Sequence, residues 1–310
     1  MKLGLLFSGQ GSQKPGMGLD FLSDPLFESI ISEGSAATGL DLKKIMASEN
    51  GELNETKNVQ PALVAVSYGI YKMLQRDLPN MPIAAMTGLS LGEYAALMAS
   101  EAINAEEGLK LLADRGQYMQ EDADATPSTM AAILDPDIAV VEATCDKYDQ
   151  VWIANYNSPK QLVIGGVAED VNQAVADIKE QEAAKRAVLL NVSGAFHTPL
   201  FNGARAKMHD RLANQPFFQP VVPVISNTTI DQFKGEEIAS IMERQLAVPT
   251  HFGEDVEYMV ENQGVDATLE IGPGKTLSKF AKQVNSSLSR ANIGTMAEYE
   301  AYVKENQQWI

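Results

Sequence analysis

The chain carries a single cysteine, Cys145, so no intrachain disulfide can form and no cysteine-rich zinc site can be built. Histidine is almost as scarce. Only His197, His209 and His251 are available as a base near neutral pH. Positive charge is also short, with 24 Lys and Arg against 41 Asp and Glu and a formal net charge of −17. Binding a phosphate backbone needs clustered cations, so nucleic acid is excluded as a partner. No apolar run approaches the roughly 18 residues that would span a bilayer. The apolar opening from Met1 to Phe7 stops at Gly9-Gln10-Gly11 with no small-residue cleavage site, and reads as a short buried strand and not as a signal peptide. The expectation is a soluble cytoplasmic protein. Its 310 residues, 45% hydrophobic and 21% charged, suffice for about two units with ordinary cores.

The order of elements predicts an α/β fold. Strands are expected at Leu3–Phe7 and Ile83–Gly88, and helices over Pro25–Thr38, Pro61–Leu78, Leu91–Ser100 and Asn104–Asp122. Asn104 with Glu107 three residues later has the form of a capping box. From about residue 125 the texture changes. Thr129–Leu134, Val151–Asn155, Gln161–Gly165 and Arg186–Val192 read as strands, and Asp137–Tyr148 and Glu169–Glu182 as helices, with a turn at Asn157-Ser158-Pro159. That succession, βαββαβ, predicts a small ferredoxin-like domain over 125–195, inserted into a larger α/β-hydrolase-like domain formed by 1–124 and 196–310.

Gly88-Leu89-Ser90-Leu91-Gly92 fits G-x-S-x-G, with a strand expected before it and a helix after it. A tight turn there exposes the serine oxygen, and the helix that follows aims free N–H groups at a developing oxyanion. A glycine-bounded helix start with Ser90 as N-cap is the plainer alternative. A nucleophilic serine needs a base. His209 lies mid-helix beside Asp210 and Arg211, and His251 reads as a packing residue at the core edge. His197, in Gly194-Ala195-Phe196-His197-Thr198-Pro199, sits in a turn of the kind that displays catalytic groups. Arg115 is the third oddity. Leu111, Leu112, Tyr118 and Met119 lie three and four residues from it, so it stands on the apolar face of its helix. A guanidinium there is costly to bury unpaired, so it forms a structural ion pair, snorkels toward water, or grips a substrate carboxylate through two parallel hydrogen bonds. Gly9-Gln10-Gly11 after the first strand permits close backbone approach, but no Gly-Lys-Ser/Thr follows and it is not a phosphate loop.

Taken together, Gly9 to Gln13, Gly88 to Tyr94 (GLSLGEY), Arg115-Gly116 with Met119, Asn155 to Pro159 (NYNSP), Gly194 to Pro199 (GAFHTP), Gln245-Leu246 with Pro249, and Glu270 to Lys275 (EIGPGK) resemble the malonyl-CoA:acyl carrier protein transacylases of fatty acid synthesis and the acyltransferase domains of polyketide synthases. The motifs follow the family's order over nearly the whole chain. The resemblance implies Ser90 as nucleophile, His197 as its base and Arg115 as clamp for the malonyl carboxylate. It implies backbone N–H groups of Gln10 and Leu91 as oxyanion hole, and a backbone carbonyl, placed at Gln245, orienting the histidine. Phe196 would stand beside the substrate's α-carbon and select malonyl over methylmalonyl units, and Asn155 and Asn157 would line the pantetheine entrance. Malonyl-CoA and acyl carrier protein are the implied partners, with no metal and no bound cofactor. Lys275, Lys279 and Lys282 fall on one helical face and could steer an acidic carrier. Two positions depart from the family: Leu89 stands where histidine is usual, and Ser8 where proline is common, which would loosen the loop. An α/β serine hydrolase shares G-x-S-x-G, and a catalytically idle carrier-binding module is a third possibility.

Overall fold

Leu3-Gly4-Leu5-Leu6-Phe7 is apolar throughout, and a strand of that kind needs cover on both faces. In the computed structural model, which describes residues 1–310, all five positions are buried. The elements run β1 (Leu3–Phe7), α1 (Pro25–Thr38), α2 (Leu42–Ala47), α3 (Thr56–Asp77), β2 (Ile83–Gly88), α4 (Gly92–Ala99), α5 (Ala105–Ala125), β3 (Ser128–Pro136) and α6 (Ile138–Cys145). They continue with β4 (Val151–Ser158), β5 (Gln161–Val167), α7 (Ala168–Glu180), β6 (Ala184–Leu189), α8 (Asn202–Leu212), α9 (Ile238–Arg244), α10 (Phe252–Gln263), β7 (Ala267–Ile271), α11 (Thr276–Val284), β8 (Ser289–Ile293) and α12 (Met296–Glu305). The fold is mixed α/β. No helix is long and apolar enough to cross a membrane.

A four-stranded parallel sheet of order β2-β1-β7-β8 forms one layer. Residues 223–225 extend it beyond β2, where Met86 N–H donates to the Pro223 carbonyl and Ile225 N–H to that of Met86, at 2.8 and 2.9 Å. Helices α1, α3 and α5 pack on one another beside this sheet. Asp24 caps α1, its carboxylate accepting from Leu26 N at 2.9 Å, and Pro25 follows at the first helical position, where a missing N–H costs nothing.

A second, antiparallel sheet of order β4-β5-β3-β6 lies over the mouth of the first. Its strands alternate. Ala131 and Ile133 join Val141, Cys145, Val171 and Ile178 in an apolar core of their own. Met130 and Ala132, pointing the other way, line the cavity between the sheets. Asn155 and Thr250 stitch the layers together. Tyr156 N–H donates to the Thr250 carbonyl and Thr250 N–H to the Ala154 carbonyl, at 2.7 and 3.0 Å.

Several boundaries differ from those expected. Helix α3 begins at Thr56, five residues before Pro61, so the proline sits inside the helix. The capping is supplied from a neighbour: Gln120 Oε1 on α5 accepts from Thr56 N at 2.8 Å. Half the capping box of α5 is present, Asn104 Oδ1 accepting from Glu107 N at 2.9 Å, while the Glu107 carboxylate turns to Lys110 instead. Strand β4 runs on through Asn157 and Ser158, because pairing with β5 shortens the turn to Pro159-Lys160. β6 ends at Leu189, earlier than expected; Leu190 N–H still donates to the Met130 carbonyl at 2.9 Å, and residues 190–193 line the cavity. The buried hydroxyl of Ser8 lies 3.3 and 3.4 Å from the Ile271 and Pro273 carbonyls, either of which can accept its hydrogen.

Candidate active site

The G-x-S-x-G turn joins β2 to α4. Both of its glycines are pressed against backbone: a Cβ on Gly88 would lie 2.2 Å from the Gly92 carbonyl carbon, and one on Gly92 would lie 2.3 Å from the Phe7 carbonyl oxygen. Any side chain at either position collides with backbone. Between them Ser90 adopts φ 55°, a left-handed conformation that costs a non-glycine residue about 1–2 kcal/mol. From Leu89 to Tyr94 every backbone N–H has an acceptor except that of Leu91. The N–H of Gln10, in the loop after β1, is likewise without an acceptor in the protein.

A cavity of about 680 Å³ opens between the two sheets, with Ser90, His197, Arg115, Gln10, Phe196 and Asn155 among its walls. Asn157 is also there, its Oδ1 buried and unpartnered while Nδ2 donates to Gln161 at 3.1 Å. Asn155 is committed elsewhere: its Nδ2 donates to Thr250 Oγ1 at 2.6 Å. Phe196 packs its ring against Phe201, 5.1 Å between centroids.

Arg115 projects from α5 into this wall and is fully buried. Nη1 donates to Gln60 Oε1 at 2.6 Å, and Nη2 to Gln245 Oε1 at 2.9 Å and to Ser90 Oγ at 3.1 Å. The guanidinium lies 5.8 Å from the centroid of the Tyr94 ring, and its Nε has no acceptor. Every hydrogen-bond partner is neutral. Burial pulls the Arg115 pKa below its ordinary value. No carboxylate is bonded to this cation, and a buried charge without a counter-charge is costly.

His197, at φ 62° and 4% exposed, directs Nδ1 to the backbone carbonyl of Gln245 at 2.8 Å. Burial, followed by the nearby Arg115 charge, lowers its pKa to about 4, so the ring is neutral at physiological pH. The side chain shares the cavity with Ser90, but the Ser90 hydroxyl is engaged by Arg115 and not by His197. The other histidines stand apart. His209 is exposed and paired with Glu243, and the half-buried His251 stacks on Tyr156 at 4.9 Å.

Four polar residues of the site lay outside the sequence reading. Gln60 precedes the apolar run of α3, and Glu93 sits alone among the buried Ala and Leu of α4. Glu93 Oε1 accepts from Asn227 N at 2.7 Å and Oε2 from Gln245 Nε2, and burial raises its pKa to about 7. Asp255, fully buried on α10, accepts from Asn227 Nδ2 and from Thr87 Oγ1, and burial pushes its carboxyl well above the usual range, with Glu93 adding to the shift. A charged residue on an apolar helix face, the signal that marks Arg115, also marks Glu93 and Asp255. Asn227 gives no such signal, since Ser226-Asn227-Thr228-Thr229 reads as a polar turn. No three His, Cys, Asp or Glu side chains converge as metal ligands.

A serine in a strained strand-to-helix turn, a buried neutral histidine and a buried arginine share one cavity, and the chain belongs to the acyl transferase domain family, whose model matches residues 5–304. Within that family it is similar to the malonyl CoA-acyl carrier protein transacylase of Escherichia coli K12, with 36% identity over 294 residues that cover 93% of this chain and 94% of the relative. The crystal structure of MCAT from Streptococcus pneumoniae superposes with a TM-score of 0.92 at 37% identity, covering 98% of this chain and 100% of that one. A malonyl-transacylase solved in complex with a type II polyketide synthase acyl-carrier protein reaches a TM-score of 0.93 at 33% identity, covering 99% and 100%.

Proposed function

We propose that this chain moves a malonyl group from malonyl-CoA to the phosphopantetheine thiol of acyl carrier protein through an ester on Ser90, in the service of fatty acid synthesis. The observation that carries the reading is Arg115: fully buried, bonded only to neutral acceptors, with one N–H on the Ser90 hydroxyl. A malonyl carboxylate that takes over the guanidinium completes its charge and frees the hydroxyl for His197. His197 removes the Ser90 proton and Oγ attacks the thioester carbonyl. The oxyanion meets the unpaired N–H groups of Leu91 and Gln10. Collapse expels coenzyme A, its thiolate taking the proton from His197. The carrier thiol then gives its proton to His197, attacks the ester, and releases Ser90 with that proton returned.

The Gln245 carbonyl on His197 Nδ1 supports a Ser–His pair and speaks against a hydrolase, which would place a carboxylate there. Asn157, with its unpartnered Oδ1, suits the amide-rich pantetheine arm, and Asn155 stands beside it on the same strand face. Phe196 narrows the space beside the malonyl α-carbon. We read the architecture as an α/β-hydrolase-like body, 1–124 and 196–310, into which a ferredoxin-like unit, 125–195, is inserted; the order β4-β5-β3-β6 and the separate apolar core support this. Incubation with malonyl-CoA followed by peptide mass spectrometry tests the chemistry. A malonyl ester is expected on the Ser90 peptide and none in Ser90→Ala. An adduct that survives in Ser90→Ala places the nucleophile elsewhere.

A further inference from the structure

Ser90 is held from behind by a residue far off in the sequence. Asn227, fully buried in the segment that follows the sheet extension, points its side-chain amide at the turn. Oδ1 accepts from Ser90 N at 2.7 Å, and Nδ2 donates to the Gly88 carbonyl at 2.9 Å and to Asp255 Oδ2. Both amide hydrogens are used. A flipped amide would set donor against donor at Ser90, so the network fixes its orientation. The Asn227 backbone is fixed as well, N–H to Glu93 Oε1 at 2.7 Å and carbonyl from His251 N at 3.0 Å.

We propose that Asn227 is a positioning residue of the nucleophile turn: its amide brackets Gly88 and Ser90, holds the serine in its left-handed conformation, and leaves Leu91 as the free N–H beside it. If Ser90 N–H were not engaged from behind, the peptide could rotate, and both the hydroxyl and the Leu91 donor would move with it. A displacement of about 1 Å at a reacting group can slow a reaction roughly 10²-fold. Asp255 keeps the asparagine aimed through Nδ2. Neither Asn227 nor Asp255 lines the cavity. Their replacement therefore leaves the substrate-binding walls intact, and this separates positioning from binding.

The inference rests on Ser90 as the acylated residue. The experiment is single-turnover acylation by malonyl-CoA, with KM and thermal melts, for the wild-type protein, N227A and the exchange variant N227D/D255N. Acylation by N227A should fall roughly 10²-fold with KM changed by less than about twofold. The exchange keeps an acceptor for Ser90 N and an amide–carboxylate bond between 227 and 255; it loses the donor to Gly88 and the acceptor that Asp255 Oδ2 offers Thr87 Oγ1, a hydroxyl that still reaches the Ile225 carbonyl at 3.1 Å. It should acylate roughly tenfold faster than N227A and roughly tenfold slower than wild type, and it carries the test alone if N227A does not fold. N227A acylating within about threefold of wild type, kcat and KM worsening together, or an exchange variant at the wild-type rate overturns the role of Asn227. A wild-type protein that forms no ester at Ser90 overturns the reading of the site instead.

Discussion

At the scale of single residues, the decisive fact is a full positive charge buried among amides. Arg115→Ala should lower kcat/KM for malonyl-CoA by roughly 10²–10³, because the substrate carboxylate would then be buried unpaired at about 3–5 kcal/mol. Acetyl-CoA has no such carboxylate, and its use should fall much less. Arg115→Lys keeps the charge but loses the fork, and should recover only part of the activity. Equal losses for both substrates in a folded Arg115→Ala protein would make the arginine structural. Glu93 and His197 leave a second signature, in stability. Glu93 at about 7 stands above its ordinary 4.5, so between those values the folded chain keeps a proton that the unfolded chain has lost. Its contribution weakens folding as pH rises through that window. His197, at about 4 against 6.5, acts oppositely: the unfolded chain holds the extra proton, and stability rises with pH across its window. The two nearly cancel. Glu93→Gln removes the first, so its stability relative to wild type should climb with pH between about 4.5 and 7, by up to about 1.4 kcal/mol per pH unit. Urea unfolding of both proteins at several pH values checks it, and parallel curves would contradict the assignment.

At the scale of elements, the site is made by a close approach of α4 to the ends of β1 and β2. Gly92 allows it, since an added Cβ would stand 2.3 Å from the Phe7 carbonyl oxygen and 3.1 Å from that of Ser8. Gly92→Ala must push the helix off the sheet, with a loss of about 1–3 kcal/mol and a displaced Leu91 N–H that slows acylation. An unchanged unfolding midpoint would show that α4 has room to spare. This turn was legible in the sequence because its requirements are local: two glycines, a serine, a strand before and a helix after. Arg115 was legible for a similar reason, as one charge on an apolar face of α5. The strands Leu3–Phe7 and Ile83–Gly88 were legible from their apolar runs. What could not be read arises from contacts between distant segments. Asn227 meets Ser90 across 137 positions, and Gln60 meets Arg115 across 55. The start of α3 was hidden because Gln120 caps it from α5, where no local capping residue announces it.

At the scale of the whole molecule, net charge and partner appear to the eye at odds: a chain of −17 is to receive an acidic carrier protein. A local cluster of cations would reconcile the two. Helix α11 turns Leu277 and Phe280 to the cavity and leaves Lys275, Lys279 and Lys282 exposed. Lys275 is paired with Glu298 at 3.3 Å, whereas Lys279 and Lys282 make no ion pair, so their charge is free for a partner. Exposed charges act over a Debye length of about 8 Å at physiological salt, enough to orient an arriving carrier but not to bind it alone. Reversing both, as Lys279→Glu with Lys282→Glu, should raise KM for the carrier severalfold and flatten its dependence on salt. Formation of the malonyl enzyme from malonyl-CoA, a step that does not involve the carrier, should stay within about twofold of wild type. Kinetics with the carrier across a salt series, beside the acylation rate of the same variant, make the measurement. If carrier KM and its salt dependence are unchanged, α11 presents only a solvated face, and the carrier docks elsewhere.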